Sequence, residues 1–303
     1  MPAPLLLVNS RSGGSEPSVH ALVAAARERG IDSRVLAPHE PADERAREAA
    51  VAGTPALGVA GGDGSLANVA AIAVEHDLPF VPVPYGTRNH FARDAGFDPA
   101  DPLGALEAFG GEERRVDVGR VNDRLFLNNV SLGLYASLVH DPERRTKNRL
   151  VAFARMFKAA VAPTRRPLDL RFGADGRSEH HRALVCLVAA NDYDVRSISG
   201  LRGRERLDDG WLHAYVIEAT STGRLVSLLA RAALGRISQA EGWAEYTSDA
   251  FRIESTRRRV HAAVDGEPVV LPALLEFEIR RRALRVLVPP SSRDRDGAAT
   301  TRE

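Results

Sequence analysis

The feature that most constrains the fold of this 303-residue chain is a change of hydrophobic texture near residue 115. Before it, short apolar runs alternate with stretches rich in Ala, Arg and Glu: Leu5–Val8, a helix through Ala21–Arg29, Ser33–Leu36, a helix through Asp43–Val51, then Ala56–Ala60. Strand-length runs separated by helical stretches build strand–helix units, whose strands lie parallel in one sheet. After residue 115 the pattern becomes apolar–polar alternation, broken by Asn122-Asp123, Asp175-Gly176, Asp209-Gly210 and Asp265-Gly266. Such dipeptides turn the chain between antiparallel strands. Helical patterns interrupt this region near 148–161 and 223–237. The sequence therefore predicts an α/β domain over 1–114 and a mostly antiparallel β domain over 115–281. The last apolar stretch, Leu284–Val288, stops at Pro289-Pro290, and the Ser/Arg/Asp-rich segment 291–303 is expected to be a disordered tail.

Charge excludes one large class of partners. The chain has 41 basic and 40 acidic residues, so no overall field draws it onto nucleic acid, and any anion site must be local. Pro4–Val8 and Ala183–Ala190, the longest apolar runs, fall far short of the roughly 20 residues a membrane helix needs. The N-terminus enters Leu5-Leu6-Leu7-Val8 without a basic region or cleavage site, which points to a cytoplasmic protein. The single cysteine, Cys186, lies inside an apolar run; it excludes an internal disulfide and fits a buried, inert thiol.

Residues 56–66 carry the strongest chemical signal. A strand runs to Ala60, a helix is expected near Ser65, and Gly61, Gly62 and Gly64 fill the link. Glycines let backbone amides approach a phosphate closely, and the following helix start adds partial positive charge. Asp63 would repel bare phosphate, so its presence suggests a nearby cation such as Mg²⁺. An ordinary glycine-rich turn with Asp63 as a helix cap is the alternative. Neither a P-loop nor a GxGxxG pattern is present. Two further strand–loop–helix links open at the same expected sheet edge. One is Leu7–Gly14, with Asn9 and Ser12; the other is Val83–Asp94, with Thr87 and Asn89 as hydrogen-bonding residues or, alternatively, helix caps.

Asn9-Ser-Arg-Ser-Gly-Gly, Gly61-Gly-Asp-Gly-Ser and Gly86-Thr-Arg-Asn-His-Phe-Ala-Arg-Asp resemble, in order and spacing, the nucleotide-site motifs of the diacylglycerol kinase catalytic domain. Farther on, Val116-Asp-Val-Gly, Asn128-Asn-Val-Ser-Leu-Gly, Leu207-Asp-Asp-Gly-Trp-Leu and Val264-Asp-Gly-Glu-Pro are similar to that family's downstream landmarks. The resemblance implies a phosphofructokinase-like α/β domain and a β-sandwich with ATP between them, residues 282–290 returning to the first domain. It implies an ATP- and Mg²⁺-dependent transfer of the γ-phosphoryl group to a hydroxyl of diacylglycerol or a similar lipid. By the same resemblance, Gly61, Gly62, Asp63, Gly64, Ser65, Leu66 and Ala67 hold the phosphates and Thr87 contacts the nucleotide. Glu267 is implied as general base, the Asp209 side chain with the Arg206 and Trp211 carbonyls as a magnesium site, and Asp117 as part of a water-mediated metal network.

The sequence departs from the family at three places. His90 stands where an aspartate of the metal network is common, Ala67 where an asparagine is common, and Ala37-Pro38 lacks a threonine that touches nucleotide. Asp94, one helical turn after His90, is placed to compensate. Two rival readings stay open: an NAD kinase-like enzyme with a soluble acceptor, and a non-catalytic nucleotide- or lipid-binding protein. Against the first, Asn128-Asn129 is followed by Val130 where NAD kinases carry an Asn-Glu pair. The helical segment 148–161 has one apolar face and basic flanks, which suits either packing on its own domain or transient contact with the inner membrane surface. A homodimer is compatible with the sequence.

Overall fold

The structure is a computed structural model that describes residues 2–12, 17–133, 136, 168–174, 177–193, 203–218, 231 and 241–290. The two helical segments expected at 148–161 and 223–237, the turn at Asp175-Gly176, Gly13, Gly14 and the tail beyond 290 lie outside the described residues. The chain divides into two compact units: residues up to Val116 together with those from Arg282 onward, and Asp117–Arg281.

In the first unit β1 (Leu5–Asn9), β2 (Asp32–Leu36), β3 (Leu57–Gly61) and β4 (Pro79–Pro84) alternate with α1 (Val19–Glu28), α2 (Ala42–Val51) and α3 (Asp63–Glu75). All pairings are parallel, in the order β2-β1-β3-β4. β3 is buried at every residue, as a parallel strand covered on both faces must be, which is why its sequence is a continuous apolar run. Helix α1 buries Leu22 and Ala26 and starts at Ser18, whose Oγ accepts from the Ala21 amide at 3.1 Å. A short helix α4 (His90–Asp94) and a 3₁₀ helix (Gly104–Gly110) follow. The end of the chain joins this sheet too: Arg285 and Val286 pair in parallel with Pro79 and Phe80. The Arg285 guanidinium donates to the Asp77 carbonyl and to Glu113, each at 2.6 Å, fixing that strand.

The second unit begins within β5 (Glu112–Val121) and contains β6 (Arg124–Phe126), β7 (Asn129–Gly133), β8 (Leu168–Ala174), β9 (Arg177–Ala183), β10 (Val185–Ala190), β11 (Leu212–Ile217), β12 (Trp243–Ser248) and β13 (Ala250–Val264). It also contains most of β14 (Glu267–Val288), and its pairings are antiparallel, in the order β12-β11-β10-β7-β13-β14 with β8-β9 attached to β13. The sheet folds back on itself. His181 of β9 meets the Tyr246 hydroxyl of β12 at 2.7 Å, and the Phe172 and Tyr246 rings stack with centroids 4.7 Å apart. The enclosed core draws Phe126, Leu132, Val188, Ala214, Ile253, Leu275 and Phe277 from the inward positions of the alternating strands. Cys186 belongs to this core; full burial pushes its thiol up to about 12, as expected of an inert cysteine. The apolar run 183–190 is divided at Leu184, whose amide donates to the Ile217 carbonyl: Ala183 ends β9 and Val185 begins β10.

Candidate active site

In the first unit β1 lies between β2 and β3, so the connections leaving β1 and β3 diverge. A parallel sheet opens a ligand crevice at the carboxyl ends of such strands. Asn9 ends β1, and its Nδ2 donates to Ser65 Oγ at 2.9 Å. Its Oδ1 accepts from the Arg11 amide and its carbonyl from the Ser12 amide, each at 3.1 Å, so one side chain shapes the loop after β1 and ties it to the start of α3.

The glycine link forms the strand–helix junction that the sequence offers as a cradle. Gly61 ends β3, extended Gly62 is the N-cap, and Asp63, Gly64 and Ser65 form the first turn of α3, which starts two residues earlier than expected. First-turn amides have no acceptor within their own helix. Leu66 is already past that point: its amide donates to the Gly62 carbonyl at 3.0 Å and its side chain is fully buried. Ala67 is buried as well, so these two shape the cradle from beneath. A Cβ on Gly62 would meet only Gly86 Cα, at 3.9 Å, whereas one on Gly86 would lie 2.5 Å from Gly62 Cα. The loop after β4 thus rests directly on the cradle, and Gly86 must be glycine for it to do so.

Asn89, buried and left-handed (φ 51°), closes that loop. Its Oδ1 accepts from the Gly86 amide at 2.8 Å and its Nδ2 donates to the Gly86 carbonyl at 2.9 Å. Thr87 is exposed at the loop's tip. The Asp63 side chain reaches across to α4. Its carboxylate accepts from the His90 and Phe91 amides at 3.3 and 3.1 Å, holding the start of α4. Burial pushes the His90 imidazole below its ordinary pKa; Asp63 opposes this, and Arg93 and Arg88 reinforce it. Neutral imidazole is therefore favoured where the family carries a carboxylate. Asp94 is buried and engaged by Arg93 at 3.0 Å.

The second unit gathers the remaining candidates at its polar edge. Asp117, buried, accepts from the Gly210 amide at 2.7 Å, and its own amide donates to the Leu207 carbonyl at 2.7 Å. Asp117 and the loop carrying Asp209, separate signals in the sequence, are thus brought together. Asp209 Oδ1 accepts from the Trp211 amide and Oδ2 from the Asp192 amide, both at 2.8 Å, while His213 Nε2 lies 3.2 Å from Oδ2. Burial pushes the Asp209 carboxyl up, but His213 and the two amides outweigh it and hold the group below its ordinary value. The Arg206 guanidinium pairs with Asp208, and Arg281 stacks over the half-exposed Trp211 ring at 5.2 Å. Next to this loop, Asp192, His213 and Glu245 place ligating atoms within 4.8 Å of one another, an arrangement able to hold a cation.

Glu267 is exposed and opens β14 opposite Val264. The intervening Asp265 and Gly266 both have positive φ, 48° and 81°, as a two-residue hairpin turn of the I′ kind requires. Asp265 does more than turn the chain. Its carboxylate is buried and accepts from the amides of Leu127 (2.8 Å), Asn128 (2.7 Å) and Asn129 (3.1 Å). From the other side, buried Arg204 donates to the Leu127 and Ala190 carbonyls and to Asn128 Oδ1, at 2.6, 3.0 and 2.8 Å. Segment 127–129 is thereby clamped between a carboxylate and a guanidinium, with the turn that carries Glu267 fastened to it. Sequence reasoning missed both residues of the clamp.

Comparison with known proteins agrees with this fold. Residues 3–121 match the diacylglycerol kinase catalytic domain, and residues 130–288 match the YegS C-terminal NAD kinase beta sandwich-like domain. The chain is 30% identical over 95% of its length, and 96% of the relative's, to a Pseudomonas fluorescens protein named "Probable lipid kinase YegS-like". It is 29% identical over 58% of its length to a diacylglycerol kinase of Staphylococcus aureus, of which 56% is covered. A crystal structure of a diacylglycerol kinase from Bacillus anthracis superposes with a TM-score of 0.67 at 16% identity, covering 94% of this chain and 96% of that one, which speaks to fold alone.

Proposed function

Because this chain belongs to the YegS-like family of lipid kinases with a diacylglycerol kinase catalytic domain, we propose that it transfers the γ-phosphoryl group of ATP to a hydroxyl of diacylglycerol or a similar lipid. The observation that carries the nucleotide half of this reading is the cradle, where three loops meet over the first turn of α3 and Asn9 is bonded to Ser65. Gly62 leaves room that a side chain would fill, and amides at a helix start suit phosphate oxygens. Hard oxygen donors that suit Mg²⁺ are present in each unit by itself: Asp63 in the first, and Asp117 and Asp209 in the second. When bound, ATP and Mg²⁺ supply the transferable phosphoryl group and offset its charge. The chain's own residues do the rest: the amides of Asp63, Gly64 and Ser65 bind phosphate, Ser12 and Thr87 contact the nucleotide, and Glu267 accepts the proton of the acceptor hydroxyl. The test is ATP turnover with micellar diacylglycerol, which should require both Mg²⁺ and the lipid; turnover indifferent to lipid would refute it. The second domain's NAD kinase-like description keeps a soluble acceptor as the second reading.

Three substitutions probe the ligand sites and the loop that rests on them. Gly62→Val should melt like the wild type, because a Cβ there has ordinary contact distance, yet weaken ATP binding by more than about tenfold by filling the cradle. Gly86→Ala should instead lower Tm, since its Cβ would collide with Gly62. Unchanged ATP affinity of Gly62→Val in calorimetry would remove the phosphate from this loop. For the metal, Asp209→Ala should abolish the rise in Tm that Mg²⁺ gives the wild type. An identical Mg²⁺ response in both proteins would put the ion elsewhere, with Asp192, His213 and Glu245 the next set to mutate.

A further inference from the structure

The hairpin that carries Glu267 at its turn is locally basic although the chain as a whole is near neutral. From Ser255 to Val264 on β13, and from Pro268 to Leu275 on β14, there is no acidic residue, while Arg257, Arg258 and Arg259 follow one another on the first strand. In a regular strand the middle one of three consecutive residues would point the other way from its neighbours. Here the register breaks. Glu254 stands opposite Leu274 and Arg259 opposite Pro272, so residues 255–258 bulge against Ala273 alone. Ser255 is buried and its Oγ accepts from the Arg257 amide at 3.1 Å, which holds the bulge, and all three arginines are exposed. Bulges in antiparallel pairs re-aim side chains in just this way. No carboxylate stands within ion-pair distance of Arg258 or Arg259 among the described residues. Across the hairpin, exposed Pro272 faces Arg259, and Val270, 50% exposed, is among the few large apolar side chains left open to solvent.

We infer that this bulge and its apolar neighbours form the surface by which the protein docks on an anionic bilayer. The inference rests on the lipid-kinase reading, since an acceptor embedded in a membrane must be reached where it lies. The guanidinium groups of Arg258 and Arg259, with no carboxylate in ion-pair distance among the described residues, suit lipid phosphates, and exposed Val270 and Pro272 bury against the acyl boundary. Charge complementarity selects a bilayer rich in acidic lipid. Pro272 is five residues from Glu267 along β14, about 17 Å at the rise of an antiparallel strand. Docking therefore brings the proposed base close to the headgroup layer from which the acceptor hydroxyl comes.

The experiment is flotation of the full chain with phosphatidylcholine vesicles, with and without phosphatidylglycerol. The wild type should float only with the anionic vesicles, and less as salt is raised. Each basic residue near such a surface changes partitioning by roughly fivefold, so Arg258→Gln with Arg259→Gln should weaken it by about 25-fold. Turnover on vesicle-embedded diacylglycerol should fall in parallel. Arg27→Gln with Arg124→Gln, the same charge loss at two other exposed arginines, should partition like the wild type. Equal flotation of the two double variants, or no preference of the wild type for anionic vesicles, would overturn the docking surface. Turnover of the wild type on a dispersed short-chain diacylglycerol is measured alongside. Its absence would sink the kinase reading, whereas its presence with failed flotation would sink only the docking surface.

Discussion

Glu267→Gln should bind ATP like the wild type and lose phosphoryl transfer to lipid by about 10² to 10⁴-fold, the usual effect of removing a general base. An alcohol is a poor nucleophile while it keeps its proton, and a carboxylate placed within hydrogen-bond reach takes that proton as the phosphoryl group arrives. The amide keeps the size of the side chain and deletes its basicity. Glu267 begins a strand directly after a two-residue turn and is paired in register with Val264, so it is held more firmly than a residue on a long loop would be. ATP binding measured separately by calorimetry distinguishes a lost base from a lost nucleotide site. A variant that turns over within about threefold of the wild type, far inside the range for a lost base, would mean that Glu267 is a solvated turn residue.

Asp265→Ala should cost about 3–5 kcal/mol of stability, seen as a fall in Tm of about 10 °C. The substitution strips the acceptor from three amides at once, those of Leu127, Asn128 and Asn129, and unpaired polar groups in a buried position are costly. It also puts alanine at φ 48°, a conformation Asp and Asn tolerate better. Asp265→Asn, which retains one acceptor oxygen and the turn preference, should fall between the two. If Asp265→Ala melts within about 1 kcal/mol of the wild type, the range of an ordinary surface substitution or little more, the clamp on segment 127–129 does not hold the turn.

What the sequence disclosed and what it hid divide along physical lines. Local periodicity exposed the parallel strands, because β3 is buried on both faces and must be apolar throughout. The Asp265-Gly266 pair was recognisable as a turn, because positive φ at two successive residues restricts composition so strongly. The clamp was not recognisable: Asp265 acts on amides 136 to 138 residues away, and Arg204 on a carbonyl 77 residues away. An arginine or a turn aspartate ordinarily faces solvent, so nothing nearby in the sequence distinguishes these two. The length of β14 was hidden for another reason. Its 22 residues include Arg280-Arg281-Arg282, which interrupts the alternation by which a strand is recognised, so its start after Asp265-Gly266 and its end at Leu284–Val288 stood out only as separate pieces. At the link after β3, the glycines were visible in the sequence, but the contacts of Asp63 depend on α4 meeting it from another segment.

The most direct measurement of the central claim is a competition among acceptors in one reaction. Diacylglycerol, a sphingoid base, phosphatidylglycerol and NAD are offered together to the full chain with radiolabelled ATP and Mg²⁺, and the labelled products are separated. Label is expected in a lipid product, diacylglycerol first, with none in NAD, and that label is lost in Glu267→Gln. Label in NAD alone, or lipid labelling that Glu267→Gln leaves intact, would contradict the central claim.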